Sequence, residues 1–493
     1  MGNTRAACFL MCLIVLATAG NAQENHWKNS QFADLEKTIM DLMSAGEVPG
    51  LSIAVIRDAR VTWLKEFGVA NASTKQPVTR ATVFEAASLS KPVFAFAVMR
   101  LVEKGKLDLD APLGSYLPKP YIEGDARVGR ITTRHVLSHA TGFPNWRGRE
   151  TLKTHFTPGE RFSYSGEGFM YLQRVVEHLT DEPLETFIRR EVFDPIGMRN
   201  SSFVWQDKYE AWKATGHNSA GVAQSRRQRT IEANAAASLH TTASDYAKFV
   251  LAIMNRTGLK KSTTAEMLRT QMHVDEACSN CIENQPSGKR STTISWGLGW
   301  GLQENNGVRS FWHWGDNNGD THAFVMASET QRSGVVILTD SGNGHAIIPF
   351  IIERLFGGKQ PVTAWLNYEG YNSPAKTLLR SIITGGMAAI SQYLSGRARD
   401  PKLGLNERAT NRLGYDLLNR KRSVEAIEIF KLNITDHPTS GNTYDSLAEA
   451  YLVVGEKALA LEFYKKAIEV EPSYPNAAVA RKIIQELQVS PRN

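Results

Sequence analysis

Cysteine is scarce: the 493-residue chain holds four, and two of them, Cys8 and Cys12, lie near its start. That excludes a disulfide-stapled scaffold. A strong charge of one sign is also missing, since 57 Lys plus Arg face 50 Asp plus Glu. No basic block is dense enough for a nucleic-acid or polybasic membrane patch. The nearest, Arg226-Arg227-Gln228-Arg229, reads as part of a solvated loop. Beyond the N-terminus no apolar run is long enough to span a bilayer, which excludes a stable membrane span. Gly-x-Ser-x-Gly does not occur, so the nucleophile turn of α/β-hydrolases is excluded. Hydrophobic residues at 42% and charged residues at 22% leave a soluble protein of two or three domains.

The one apolar run is Ala6 to Ala19, preceded by Arg5 and followed by Gly20-Asn21-Ala22. It is shorter than the roughly 20 residues that cross a bilayer. With a basic start and small residues at its end, it reads as a signal peptide over residues 1–22, cleaved after Ala22. The protein is then secreted or periplasmic. Cleavage leaves Cys278 and Cys281, and in an oxidising compartment the pair reads as a local disulfide in a surface loop. His273 and Asp275 nearby allow a metal reading, but a structural zinc normally takes four spaced ligands.

An internal repeat marks the C-terminal part. Leu413, Gly414, Ala426, Phe430 and Pro438 recur as Leu447, Ala448, Ala460, Tyr464 and Pro472. Small residues alternating with large ones at this period describe two helix–turn–helix units that pack closely, and they resemble tetratricopeptide repeats. Asn476 to Leu487 follows as a capping helix. Two units are few for independent stability, so this arm docks on the preceding domain or on a protein partner.

Ahead of it, Leu51–Arg57 and Val61–Phe67 have strand composition and form a hairpin through Asp58-Ala59-Arg60. Gly297–Gln303, Ser310–Trp314, Thr321–Ala327 and Gly334–Thr339 read as further strands. Helical patterns lie between these groups, at Lys91–Lys104, Thr132–Ser138, Glu167–Thr180, Leu184–Glu191 and Thr242–Met254. The pattern predicts an α+β domain over residues 23–365, an antiparallel sheet with a helical insert. A connector over 366–405, with a helix near Lys376–Leu394, leads to an all-α arm over 406–493.

Ser88-Leu89-Ser90-Lys91 is the leading candidate for chemistry. A serine hydroxyl needs a base within hydrogen-bond reach, and three residues make about one helical turn. Lys91 would thus return beside the Ser88 oxygen, where the helix N-terminus and the apolar run Pro92 to Phe96 favour a neutral amine. A second Ser-x-x-Lys, Ser373 to Lys376, has Pro374 inside it and no supporting motif. His135 and His139 have zinc-compatible spacing, but no Glu follows His135 as in a zinc-protease helix.

Four segments then fall in order: Phe84 to Lys91, Val136 to Pro144, Pro158 to Ser165, and His313-Trp314-Gly315. Together they resemble the serine β-lactamase and penicillin-binding-protein superfamily, over roughly Ser30 to Leu355. The likeness is closest to its class C-like branch, with D-alanyl-D-alanine carboxypeptidases, D-aminopeptidases and family VIII esterases. The resemblance implies that Ser88 is acylated, Lys91 takes its proton, and Tyr164 shuttles protons to leaving group and water. His313-Trp314-Gly315 would hold the place of the Lys-Thr-Gly strand motif. Ser88 and Asp316 would supply the oxyanion N–H groups, with His313 and Gly315 on the substrate side. Such chemistry requires no metal or organic cofactor, and its partner is a small-molecule or peptide substrate.

Two departures stand out. Gly166 occupies the place of an asparagine that holds a β-lactam's acylamide. His313 replaces a lysine that would attract a carboxylate. Both argue for a neutral ester, amide or peptide as much as for a β-lactam. The rival expectation is a catalytically idle protein that binds penicillin or peptidoglycan and acts as a scaffold through its repeat arm.

Overall fold

The computed structural model describes residues 29–148, 151–224, 229–282, 286–317 and 319–489. The signal peptide read over residues 1–22 and most of the arginine cluster at 226–229 lie outside them. Eleven strands are present among the described residues, in chain order β1 Gly50–Arg57, β2 Arg60–Asn71, β3 Gln76–Pro77, β4 Phe84–Ala87, β5 Leu239–Thr241, β6 Met272–Asp275, β7 Arg290–Trp296, β8 Gly301–Asn305, β9 Val308–Asn317, β10 Thr321–Ser328 and β11 Ser333–Thr339.

Nine of them form one antiparallel sheet in the order β3-β2-β1-β11-β10-β9-β8-β7-β6. Its centre joins chain segments from both ends of the domain, with Leu51 opposite Thr339. β1, β10 and β11 are buried along their whole length, as expected of strands covered on both faces. The period-two alternation sorts their side chains. Leu51, Ile53, Val55, Val335 and Ile337 meet the helices Asn29–Gly46 and Gly344–Phe356 on one face. Ala54, Ile56, Val336 and Leu338 meet the helical insert on the other.

The β1–β2 hairpin forms as the sequence predicts. Its two-residue turn holds Asp58 and Ala59 at φ of 50° and 51°, the left-handed pair that matches strand twist in a tight hairpin. The expected strand Gly297–Gln303 begins only at Gly301. The preceding residues turn instead, because the N–H groups of Leu298 and Gly299 bond to Met267 and Leu137 carbonyls rather than to a strand.

The five expected helices of the insert are present, at Ser90–Glu103, Thr133–Leu137, Gly166–Thr180, Leu184–Ile188 and Ala243–Met254. The insert is closed by the β4–β5 pair, which brings Ala87 opposite Leu239. That pairing sets the end of β4 beside β9.

Helix Pro374–Arg399 follows the sheet domain and breaks at Gly386 (φ 56°, ψ −140°). Helices Glu407–Asn419, Ser423–Asp436, Gly441–Val453, Lys457–Val470 and Ala477–Val489 complete an all-helical region. The starts Glu407 and Ser423 recur 34 residues on, at Gly441 and Lys457. The sequence repeat is therefore a repeat of helix pairs. Gly414 lies where a Cβ would fall 2.4 Å from the Phe430 ring, so the small residue permits the close helix contact. Arg420 ties this region to the sheet domain through Glu47 and the Ser219 carbonyl.

Candidate active site

Ser88 stands between β4 and the helix Ser90–Glu103, half-buried at the floor of a cleft between β9 and the helical insert. Ala87, just before it, has φ 49°. A non-glycine residue held there stores about 1 kcal/mol or more, a cost met by the surrounding contacts. The β4 chain passes so close to β9 that a Cβ on Gly315 would fall 2.4 Å from the Ala86 carbonyl oxygen. Glycine at 315 is thus a packing requirement of the Ser88 turn.

Lys91 is fully buried. Its Nζ lies 3.1 Å from Ser88 Oγ and 2.8 Å from the Ala236 carbonyl oxygen. The Tyr164 and Phe169 rings flank it at 4.7 and 5.6 Å. Desolvation holds its pKa well below the ordinary lysine range. Its Nζ donates to the Ala236 carbonyl and to Ser88 Oγ, and desolvation favours the neutral form of the amine.

Tyr164 is also buried, and burial pushes its phenol far above the ordinary range while Ser88 draws it partly back. Its hydroxyl feels Ser88 but makes no hydrogen bond of good geometry. His139 stacks on the Tyr164 ring at 4.2 Å and accepts the Ser165 N–H at 3.0 Å through Nδ1. Burial, then Lys91 and His313, keep His139 neutral. His135 accepts its own helix's Thr132 N–H, so the histidine pair divides into a cap and a packing ring.

On β9 the expected residues separate. Asp316 lines the cleft together with Trp314, whereas His313 and Gly315 are buried beneath it. Burial and Lys91 bring His313 down to about 3, and its Nδ1 bonds the Trp314 carbonyl at 2.7 Å. Among the described residues Asp316, His322 and His345 form a group that resembles a metal cluster, with ligand atoms within 4.8 Å. The two imidazoles are stacked, 3.8 Å apart and 11° from parallel. An ion must lie in the plane of each ligating ring, so this arrangement does not fit one unless a ring turns.

Three features escaped the sequence. Asn145, next after the Gly142-Phe143-Pro144 segment, accepts the Gly166 N–H through Oδ1 at 3.0 Å, and the Trp146 ring fills the space where a Gly166 side chain would stand. The Ala236 carbonyl holds Lys91. The third is the place of the disulfide, whose bond the sequence does predict. Cys278 and Cys281 are bonded, but both are buried, and Ser279 and Asn280 between them line the cleft. The expected surface loop is therefore a wall of the site. The Ser279 carbonyl accepts the Tyr164 N–H at 2.9 Å. The cleft measures about 680 Å³.

An antiparallel sheet with a helical insert, with Ser88, Lys91 and Tyr164 gathered at their junction, is the architecture of the β-lactamase-like class. The chain belongs to the Beta-lactamase family, whose model matches residues 32–347. It is 26% identical over 352 residues to penicillin-binding protein 4 of Amycolatopsis lactamdurans, covering 64% of this chain and 87% of that one. It is 29% identical over 186 residues to esterase EstB of Burkholderia gladioli, covering 31% and 47%. The solved D-alanine carboxypeptidase AmpC of Burkholderia cenocepacia shares the fold at a TM-score of 0.55 and 20% identity, over 66% of this chain and 99% of that one.

Proposed function

We propose that the chain cleaves a carboxylic ester, amide or D-amino-acid peptide bond through an acyl-enzyme on Ser88. The observation that carries this reading is the desolvated Lys91 amine, 3.1 Å from Ser88 Oγ with no acidic partner among the described residues. Lys91 takes the Ser88 proton as Oγ attacks the carbonyl carbon. The N–H groups of Ser88 and Asp316 hold the resulting oxyanion; such a donor is typically worth about 3 kcal/mol. Tyr164, a neutral phenol, relays a proton to the leaving group. The sequence reverses when water, giving its proton through Tyr164 and Lys91, releases the acyl group. Mature residues 23–365 form the hydrolase unit and 406–493 a tetratricopeptide-type arm. The disulfide and the leading apolar run support export to a secreted or periplasmic location.

Gly166 offers no side-chain amide, and His313 no charge, so a β-lactam's acylamide and carboxylate lose two holds. Intact mass after brief exposure to a penicillin and, separately, to a short-chain activated ester tests this, with Ser88→Ala in parallel. Ester consumption without a lasting penicilloyl adduct is expected. Ester turnover that survives Ser88→Ala sinks the mechanism.

A further inference from the structure

Asp316 is the single formally charged side chain lining the cleft among the described residues. Its carboxylate is half exposed, accepts the Gly319 N–H at 3.0 Å, and lies 3.5 Å from His322 Nε2. His322 Nδ1 accepts the His345 N–H at 3.2 Å. Nε2 is therefore the ring nitrogen left to face the Asp316 carboxylate. Burial opposes ionisation of Asp316, but the His322 contact and the Gly319 N–H outweigh it and keep the group below the ordinary carboxylate range.

The rest of the cleft is lined by two indoles, Trp146 and Trp314, and by neutral amides and hydroxyls. No Lys, Arg or His side chain lines the cleft among the described residues, and exposed Arg174 stands outside it, in the groove beyond Trp146. Lys91 lies under the floor, held by Ser88 and Ala236. Arg147, in the groove beyond Trp146, is paired with Glu167 at 2.7 Å. A carboxylate beside indole faces favours a desolvated ammonium, through charge and through the ring quadrupole. An anionic group there meets like charge.

We propose that the substrate's acyl group carries an ammonium, bound between the Asp316 carboxylate and the Trp314 indole: an aminoacyl ester or amide, or a peptide with a free amine. This rests on the acyl-enzyme reading above. The Asp316 N–H serves the acyl oxygen, so its side chain stands within a short chain's reach of the acyl carbon.

Three phenyl esters that differ only at the chain end test it: 4-aminobutyrate, pentanoate and the glutarate monoester. At neutral pH kcat/KM is expected to be about tenfold higher for the amine than for pentanoate, with glutarate lowest. Asp316→Asn should bring the amine-to-pentanoate ratio close to one, and Asp316→Glu should restore part of it. A wild-type ratio at or below one overturns the proposal, as does a ratio that Asp316→Asn leaves unmoved. Failure of the acyl-enzyme reading looks different, because then no ester is cleaved or Ser88→Ala still cleaves them. In that event calorimetric binding of butylammonium and butyrate to Ser88→Ala decides: tighter butylammonium supports the cation site, and tighter butyrate overturns it.

Discussion

At Ser88 and again at Ser373 the chain places a lysine three residues after a serine, and the two pairs have opposite surroundings. Lys91 is fully buried, and its partners, Ser88 Oγ and the Ala236 carbonyl, are neutral. Ser373 spends its oxygen as the N-cap of the helix Pro374–Arg399, accepting the Lys376 N–H at 3.1 Å, and donates to Glu369 at 2.8 Å. Lys376 reaches away, to Asp416 at 2.6 Å on the first arm helix. One turn of helix brings the residues together in both places. The dielectric and the partner decide whether the pair is reactive or cohesive.

The sharpest way to break this contrast is to remove each hydroxyl. Ser88→Ala should cut ester turnover by about four orders of magnitude or more. Ser373→Ala should leave turnover within about twofold and cost about 1 kcal/mol of stability through the lost cap. Comparable losses of activity from both would erase the distinction.

Replacing the lysines comes next, and here stability should move in opposite directions. Lys91→Met should lower turnover by about a thousandfold, as loss of a general base does. It should also raise the melting temperature by about 2–4 °C at pH 7. The sign follows from linkage: folded Lys91 has a depressed pKa, so between that value and its unfolded value near 10.5 the unfolded chain binds more protons. Lys91 therefore destabilises the fold through this window, and its contribution improves as pH rises. Lys376→Met strands Asp416, which is largely buried, and should lower stability by about 2 kcal/mol. Calorimetry of the two variants at pH 7 reads both signs, and a destabilised Lys91→Met would contradict the account of a strained, neutral amine.

A pH profile sharpens the same point at smaller amplitude. Turnover should stay high well below the ordinary lysine pKa and fall only where Lys91 gains its proton. An activity limb near the ordinary lysine pKa would mean that Lys91 is solvated. The smallest effect expected is that of Cys278→Ala with Cys281→Ala. Freed from its disulfide, the Ser279 carbonyl should hold the Tyr164 backbone less firmly and lower kcat about threefold, with little change for Ser88 acylation by an activated ester.

The sequence was most legible where a pattern repeats or a motif is local. Hairpin β1–β2, the five helices of the insert, the 34-residue repeat and the Ser88–Lys91 contact all depend on neighbours within a few turns. β7 went unread because Arg290 to Trp296 exposes much of its length and buries only Ile294 and Trp296. β4 and β5 are too short to show a period, although they set the Ser88 turn against β9. The placement of Asn145 beside Gly166, and of the disulfide loop in the cleft wall, comes from contacts between segments distant in sequence. Periodicity carries no trace of them.

The pairing of Leu51 with Thr339 at the heart of the sheet has a consequence for how the chain reaches this state. The whole helical insert is a loop whose ends must meet before β1 gains its central neighbour, and loop-closure entropy opposes that meeting until the last strand exists. During synthesis β1 and β2 emerge early with one edge unpaired and wait for β11. Such a topology folds slowly and exposes an aggregation-prone strand in the interval. A chain interrupted before Ser333 would lack the strand that joins the two halves of the sheet, however complete its serine, lysine and tyrosine.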